Sequence, residues 1–195
     1  MFKIICLTDR ESCGEDFLTR IEKIAMAKPD RIIFRDKKSD SGNYIDFAFK
    51  VLDISNKYGV PCSVYFHPDF TGDFHMTMQM LQHIPPSDMN ANRFIGVSVH
   101  SVKEAEIAEK KGVDYVIAGH IFETDCKKGL APRGLDFLRE VCKSIKIPVY
   151  AIGGINPHNI SETAKAGADG ACIMSGFMKC ENPVEYIKQL RGNVE

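Results

Sequence analysis

The sequence predicts an α/β fold in which eight strand–helix units close into a compact, single-domain (β/α)8 TIM barrel over residues 1–195. The first observation is that short, continuously apolar runs alternate with amphipathic stretches along the chain, as in a parallel sheet covered by helices. The second is the count, which gives seven clear strands and one doubtful strand. A doubly wound open sheet is the competing architecture. No Gly-x-Gly-x-x-Gly motif follows the first strand, however, which weakens its dinucleotide-binding form.

The predicted elements follow one another regularly outside one segment. Strands are expected at residues 3–7, 31–34, 61–66, 94–99, 114–118, 147–152 and 169–174. Helices are expected at residues 15–27, 42–58, 102 onward, 135–144, 157–166 and 183–191. Ser101 and Glu104 form a capping box at the start of the third of these helices. Asn156 and Pro157 are the expected N-cap and first residue of the fifth, which Gly167 terminates.

The segment from residue 69 to residue 92 is the least regular part of the chain. Its pattern predicts a short helix at residues 71–78, a strand near residues 80–84 and a minimal helix after Pro86. This strand is the doubtful one, and it completes the count of eight.

Composition and charge exclude several classes of protein. The chain has 25 Lys and Arg against 26 Asp and Glu, with the two signs interleaved, whereas nucleic-acid-binding domains usually carry a basic stripe. No apolar run approaches the ~20 residues that span a bilayer, and the opening run is too short for a signal peptide. Seven cysteines without zinc-binding spacing indicate reduced thiols. We therefore expect a cytoplasmic protein that binds neither nucleic acid nor membranes.

Small residues follow the last two strands, at the edge where barrel enzymes carry their chemistry. Gly153 and Gly154 come after the seventh strand, and Ser175 and Gly176 come after the eighth. Loops at these two positions bind phosphate in many barrels, because glycines let backbone N–H groups approach the anion and a helix N-terminus favours negative charge. We predict a phosphate site there; the alternative is that both segments are simply tight turns.

Cationic side chains also follow the strands. The loop at residues 119–134 is longer than a strand–helix turn requires, and long loops are often functional. The predicted anion-binding residues, in this loop and after the second strand, are Arg35, Lys37, Lys127 and Lys128. The simpler interpretation is a set of solvated charges, in which Asp36 forms a surface ion pair with its neighbours.

The histidines differ in their expected roles. His120 begins the long loop and could transfer a proton near neutral pH, although a lone histidine is more often structural. His67, His75 and His83 are spaced eight residues apart, which fits no single helical metal face, so we interpret them as structural or surface residues. No metal site is predicted.

Taken together, several segments resemble the thiamine phosphate synthase superfamily over most of the chain. They are FRDK, GVSVHS, DYVIAGHIFETDCKKGL, IPVYAIGGI and GADGACIMSGF. Within the superfamily the chain is most similar to TenI-type thiazole tautomerases, since Gly119 and His120 stand where synthases usually have Gly-Pro. The resemblance implies a compact (β/α)8 barrel, a homodimer and a role in the thiazole half of thiamin biosynthesis.

The resemblance implies one of two reactions. A tautomerase moves a proton so that an alkylidene carboxy-thiazoline phosphate becomes the aromatic carboxythiazole phosphate, with no cofactor. A synthase joins a pyrimidine pyrophosphate to a thiazole phosphate with magnesium. Synthases carry an Asn-Asp-Arg element and a Gly-Gln-x-Asp-Leu-type element, and neither is recognisable in YFHPDFTGDFH or LQHIPPSD; Asp69, Asp73 or Asp88 are the candidate substitutes.

We therefore expect a thiazole tautomerase acting on a carboxylated thiazole phosphate. His120 is the expected catalytic acid–base group, the glycine loops hold the phosphate, and the cations face the carboxylate. The alternative is a magnesium-dependent thiamine phosphate synthase. A more distant alternative is a non-catalytic regulator that binds a thiazole phosphate.

Overall fold

The computed structural model describes residues 1–36, 41–65, 72–84, 89, 93–127 and 129–194. Its strands are β1 (Lys3–Leu7), β2 (Arg31–Phe34), β3 (Cys62–Tyr65), β4 (Phe74–Thr77), β5 (Ile95–Val99), β6 (Tyr115–Gly119), β7 (Val149–Ile152) and β8 (Gly170–Ile173). All neighbouring pairs are parallel and in sequence order, and β8 pairs with β1 to close the barrel. The predicted TIM barrel is confirmed, and the open sheet is excluded.

Helices cover the outside of the barrel. They are α1 (Phe17–Met26), α2 (Ser41–Lys57), α3 (Met78–His83), α4 (Val102–Lys110), α5 (Gly134–Ser144), α6 (Ile160–Lys165), α7 (Ser175–Lys179) and α8 (Pro183–Gly192). Short 3-10 helices cover Arg10–Ser12 and Asp125–Lys127. Within the described ranges, no helix combines the length and apolar character needed to cross a bilayer.

The least regular segment of the sequence has its strand and helix in the opposite order to the prediction. Phe74–Thr77 is a strand and Met78–His83 is a helix. Four consecutive residues of β4 pair with β5, and the Thr77 hydroxyl then caps α3 by accepting the Met80 N–H at 3.2 Å. Barrel closure therefore decides the structure of a run whose local pattern is ambiguous. Apart from Met89, the helix expected after Pro86 lies outside the described residues.

The two predicted helix starts differ in outcome. Ser101 Oγ accepts the Glu104 N–H at 3.1 Å, which confirms Ser101 as the N-cap of α4; the Glu104 carboxylate accepts the His100 N–H at 2.6 Å, whereas a capping box would use the Ser101 N–H. Asn156 accepts the His158 N–H at 2.9 Å, but α6 begins only at Ile160. Asn156 therefore caps a turn that precedes the helix, because its side chain bonds locally within that turn.

Aromatic and small residues fill the barrel interior together. Tyr115 and Tyr150 pack there with aliphatic side chains of β1, β2 and β6. A Cβ on Gly96 would lie 1.9 Å from the Tyr115 ring, whereas one on Gly170 would lie 2.4 Å from the Lys3 carbonyl oxygen of β1 and 2.9 Å from the Tyr150 ring. Gly96 therefore makes room for a ring where barrels more often hold Val, Ile or Leu, and Gly170 allows the close approach of both β1 and Tyr150.

Aspartates close the amino end of the barrel. One precedes each even-numbered strand, and its carboxylate accepts a backbone N–H from an adjacent odd-numbered strand or, for Phe94, from the residue just before that strand. The pairs are Asp30 with Ile4 at 2.9 Å, Asp73 with Phe94 at 3.0 Å, Asp114 with Ile95 at 2.7 Å and Asp169 with Val149 at 2.9 Å. Each bond satisfies an N–H that the ladder leaves unpaired at this end.

Candidate active site

Arg35 lies at the carboxyl end of β2, at the mouth of the barrel. Its N–H donates to Thr8 Oγ1 at 2.9 Å, and the Thr8 hydroxyl donates back to the Arg35 carbonyl at 3.2 Å. Its guanidinium lies over the Tyr65 ring, 5.2 Å from the ring centroid. The backbone is thus held by β1 while the cation faces the top of the interior. Lys37, the second predicted cation here, lies outside the described residues.

Asp36 forms an ion pair with Arg10, a residue that is far from it along the chain. The Arg10 Nε lies 3.2 Å from the Asp36 carboxylate, whose side chain is 3% exposed. The Arg10 guanidinium also packs over the Phe47 ring of α2, 4.5 Å from its centroid. The Asp36 carboxylate is therefore buried, and its pair with Arg10 joins the loops after β1 and β2.

His120 is buried at the base of the long loop that follows β6. Its Nε2 lies 3.3 Å from the Leu130 carbonyl oxygen, which only accepts, so Nε2 carries the proton. The His120 carbonyl accepts the Arg133 N–H at 2.9 Å, and the Gly119–His120 peptide is cis. The predicted acid–base residue, at the start of the loop, therefore contacts the end of the loop through its side chain at Leu130 and through its backbone at Arg133.

The loop is tied to the neighbouring strand and carries both signs of charge. Ile121 and Phe122 donate N–H groups to the carbonyls of Ile152 and Gly153 at 2.8 and 3.0 Å. Lys127 is exposed, and Lys128 lies outside the described residues. An open cleft of about 520 Å³ in this loop is lined by Glu123, Thr124, Asp125, Lys127, Gly129 and Leu130. Because Glu123 and Asp125 are acidic, this cleft alone is poorly suited to binding an anion.

Gly153 and Gly154 form the turn after β7, and both need to be glycine. Their φ angles are +105° and +67°, values that residues with a Cβ rarely adopt. A Cβ on Gly153 would lie 2.4 Å from the His120 Cβ, and one on Gly154 would lie 2.3 Å from the Glu123 carbonyl oxygen. The close packing of the β6 and β7 loops thus explains both glycines.

Ser175 and Gly176 begin α7 directly after β8. Because β7 and β8 are paired, this segment lies beside the Gly153–Gly154 turn at the same edge of the barrel. The first N–H groups of a helix have no partner within it, so α7 presents donors there. A Cβ on Gly176 would lie 2.1 Å from the Tyr186 hydroxyl, so this glycine also has a packing role.

The sequence interpretation missed a polar cluster under the mouth. His75 is fully buried, with Nε2 2.8 Å from Ser98 Oγ and Nδ1 3.2 Å from the Tyr115 hydroxyl. Burial, and secondarily the charge of Arg35, lowers the pKa of His75 to about 3. Tyr65 packs on the other side of the imidazole, 5.8 Å away between ring centroids. The signal that could have found this cluster is the period of two along β3, β4 and β5.

The described residues contain no group of three or more His, Cys, Asp or Glu side chains arranged to hold a metal ion. Asp73, a predicted substitute ligand, is bound at 2.7 Å by Arg31 at the amino end of the barrel, opposite the mouth. Asp69, Asp88 and His67 lie outside the described residues.

Two sequence relatives of this chain at 30% identity or more are named thiamine-phosphate synthases. A thiamine-phosphate synthase of Pyrococcus furiosus is 42% identical over 124 residues, which span 64% of this chain and 58% of that protein. A thiamine-phosphate synthase of Pyrococcus horikoshii is 30% identical over 203 residues, covering 99% of this chain and 95% of that one. A solved thiamine phosphate pyrophosphorylase from Pyrococcus furiosus matches with a TM-score of 0.82 and 29% identity, covering 99% and 95% of the two chains.

These relatives show that the predicted thiazole tautomerase is wrong as the main interpretation. They are named synthases, so the transferase reaction, which is the alternative prediction, is better supported than the isomerase. The tautomerase prediction depended on the Gly119-His120 pair and on two segments, 65–75 and 81–88. The distinguishing residues of those segments lie in large part outside the described structure.

The family itself is established over nearly the whole barrel. The thiamine monophosphate synthase family model matches residues 4–177, from β1 into α7. This range contains seven complete strands, all of β1 except Lys3, the Gly153–Gly154 turn and the start of α7. The chain belongs to the thiamine monophosphate synthase (TMP-TENI) family.

Proposed function

We propose that this protein is a thiamine-phosphate synthase, which joins a pyrimidine pyrophosphate to a thiazole phosphate and releases pyrophosphate. The observation that carries the proposal is similarity along almost the whole chain to proteins named thiamine-phosphate synthases. The arrangement of the mouth is consistent with two anionic substrates, since donors from several strand ends face it.

The thiazole phosphate binds at the paired loops after β7 and β8. Gly153 and Gly154 expose backbone at a left-handed turn, and Ser175 and Gly176 contribute the unpaired N–H groups of the first turn of α7. Backbone N–H groups at a helix N-terminus are a general solution for binding phosphate. The packing roles of these glycines support the proposal, because they fix the donors in position.

The pyrophosphate of the other substrate binds at the cationic side of the mouth. Arg35 is the principal cation, and Lys37, Lys127 and Lys128 are its proposed partners. When the bond between carbon and pyrophosphate breaks, negative charge develops on the leaving oxygen, and a positioned guanidinium stabilises it. The bonds between Thr8 and the Arg35 backbone and the packing of the guanidinium over the Tyr65 ring support this role, because together they hold the cation at the mouth.

His120 acts in this reaction by positioning the long loop. Its Nε2–H bond to the Leu130 carbonyl joins the two ends of the segment that carries Lys127. The acid–base role expected for it belonged to the tautomerase reaction.

Magnesium supplies charge neutralisation for pyrophosphate in the synthase reaction. The described residues do not form a site for it, since Asp73 is engaged by Arg31 and the Phe94 N–H. Binding and orientation of the two substrates are therefore assigned to the side chains and backbone N–H groups of the barrel mouth.

Incubation with hydroxymethylpyrimidine pyrophosphate, thiazole phosphate and magnesium tests the proposal directly. We expect equal amounts of thiamine phosphate and pyrophosphate, detected by chromatography and a coupled pyrophosphate assay. A folded protein that releases neither product would contradict the synthase.

We also propose that the protein is a homodimer, as the family resemblance implies. Sedimentation velocity tests this, and a single species of monomer mass would contradict it.

A further inference from the structure

Two asparagines, Asn156 and Asn159, lie between the glycine turn after β7 and the start of α6. Neither side chain caps that helix, which begins at Ile160 without a side-chain cap. Both amide groups are instead directed back to one backbone atom of the glycine turn. The Gly154 carbonyl oxygen accepts the Asn159 Nδ2–H at 2.9 Å and the Asn156 Nδ2–H at 3.3 Å.

The orientation of each amide is fixed by a second hydrogen bond. The Asn159 Oδ1 accepts the Asn156 N–H at 2.8 Å, so its Nδ2 is the end that faces Gly154. The Asn156 Oδ1 accepts the His158 N–H at 2.9 Å, which directs its Nδ2 in the same way. A side-chain amide has one acceptor end and one donor end. Turning either amide over would therefore break both of its bonds.

Two successive peptide groups of the turn are held through their carbonyls. The Gly153 carbonyl accepts the Phe122 N–H of the β6 loop at 3.0 Å, and the Gly154 carbonyl is held by the two asparagines. In a trans peptide the N–H points opposite to the C=O, and both of these peptides are trans. The Gly154 N–H is therefore directed away from the β6 loop, and the Ile155 N–H is directed away from the asparagines.

These two N–H groups have no hydrogen-bond acceptor among the residues that the structure describes. Because β7 lies between β6 and β8, a donor that points away from the β6 loop faces the β8 side, where Ser175 follows the strand. Successive free N–H groups in a turn form a concave site that attracts anions. The N–H groups of Gly154 and Ile155 are thus donors available to a phosphate.

We propose that Asn156 and Asn159 are positioning residues that lock the peptide between Gly154 and Ile155 with its N–H toward the bound phosphate. The asparagines act through that N–H, which cannot turn over while the carbonyl of the same peptide holds two hydrogen bonds. Without them the peptide can rotate, since glycine has few forbidden backbone conformations, and its carbonyl oxygen would then face the anion. This inference rests on the proposed function and deepens its phosphate site.

The two N–H groups are tested without any activity. Backbone ¹H–¹⁵N spectra of ²H,¹⁵N-labelled protein are recorded during titration with inorganic phosphate at constant ionic strength. We expect the amide protons of Gly154 and Ile155 to move downfield and to saturate together, because both donate to the anion. The amide of Gly112, a positive-φ glycine outside the turn, should not move. Failure of either turn amide to move would overturn the proposal.

The asparagines are tested by substitution. Asn159→Ala should weaken phosphate binding in this titration and raise the KM for thiazole phosphate about tenfold, the equivalent of most of one hydrogen bond to a charged group. Asn156→Ala removes the longer bond and should raise the same KM about threefold. The kcat and the KM for the pyrimidine pyrophosphate should stay within about twofold of the wild-type values, because the N–H in question serves only the other substrate.

Asn182→Ala is the matched control. Its Oδ1 also bonds only to local backbone, where it caps α8 by accepting the N–H groups of Val184 and Glu185 at 3.0 and 3.3 Å. This variant should lower the melting temperature without changing either KM. The same result for Asn159→Ala, a lower melting temperature with unchanged phosphate affinity and KM, would overturn the positioning role.

Circular dichroism excludes unfolded variants from the comparison, and Asn156→Ala decides the role if Asn159→Ala does not fold. If the wild-type protein makes no thiamine phosphate, the proposed function fails, while the phosphate titrations of the wild type and the variants still decide the role of the asparagines.

Discussion

The two ends of the barrel satisfy their exposed backbone groups with opposite chemistry. At the amino end, strands expose N–H groups, and the carboxylates of Asp30, Asp73, Asp114 and Asp169 accept them. At the carboxyl end, carbonyls are exposed instead. Gly119 O, at the end of β6, accepts from His100 Nδ1 at 2.8 Å and from Arg133 Nε at 3.1 Å.

This difference shows that a cation at the mouth is not by itself evidence of substrate binding. The Arg133 guanidinium binds the Gly119 carbonyl at the end of β6, a backbone acceptor of the kind that parallel strands expose at this end. Arg35 differs, because its backbone makes the bonds to Thr8 while its guanidinium lies over Tyr65. The side chain's own contacts separate a structural cation from a candidate ligand-binding cation.

The largest expected effect concerns the glycine turn at the carboxyl end. Gly154→Ala should lower the free energy of unfolding by about 2–5 kcal/mol, since φ is +67° and the new Cβ meets the Glu123 carbonyl oxygen. Urea denaturation measures it. Gly112→Ala is the matched control, because its φ is +81° but nothing lies within 4 Å. Equal losses in the two variants would mean that loop packing contributes nothing.

A smaller effect is expected for the cation assigned to substrate. Arg35→Ala should lower kcat/KM by roughly 10–150-fold, the equivalent of losing one charged hydrogen bond of about 1.5–3 kcal/mol. The free energy of unfolding should change by about 1 kcal/mol or less, through the lost contact with Tyr65. Steady-state kinetics and urea denaturation measure the two quantities. Arg139→Ala, at an exposed arginine on α5, is the control; the same kinetic loss there would contradict the assignment.

At the amino end of the barrel we expect the opposite result, a loss of stability without a loss of activity. Asp169→Ala leaves the Val149 N–H without its acceptor and should lower the free energy of unfolding by about 1–3 kcal/mol, with kcat/KM unchanged. Asp46→Ala removes an exposed ion pair with Lys50 and should cost about 0.5 kcal/mol or less. Urea denaturation and kinetics of both proteins measure these effects. Loss of activity without loss of stability in Asp169→Ala would break the distinction between the two ends.

The barrel was predictable because its strands are short apolar runs separated by capped helices. β1 and β2 have the predicted bounds, and Ser101 caps α4 as expected. The segment around β4 was not predictable, because FHMT and LQHI are both short apolar runs and only pairing with β5 decides between them. Local patterns cannot distinguish two such runs.

The site was only partly predictable for a related reason. Residues that follow a strand are visible in a sequence, so Arg35, Gly153 and Ser175 could be named. The partners of a side chain across the barrel are not visible, so Asp36 was not matched with Arg10, nor His75 with Ser98 and Tyr115. These contacts join strands that are far apart along the chain.

The smallest expected effect is the pH dependence contributed by His75. Its pKa is lowered from 6.5 to about 3 in the folded protein, so the unfolded chain binds this proton first as the pH falls. The free energy of unfolding therefore decreases as the pH falls from about 6.5 to about 3, with a slope approaching about 1.4 kcal/mol per pH unit. Between pH 7 and pH 5.5 the wild-type protein should lose about 1 kcal/mol more than His75→Gln, measured by urea denaturation at both values. Both proteins keep every other histidine, so the difference belongs to His75. Equal decreases in the free energy of unfolding of the two proteins would show that His75 is protonated in the folded protein at pH 5.5. The barrel interior would then carry a positive charge, as the mouth does at Arg35.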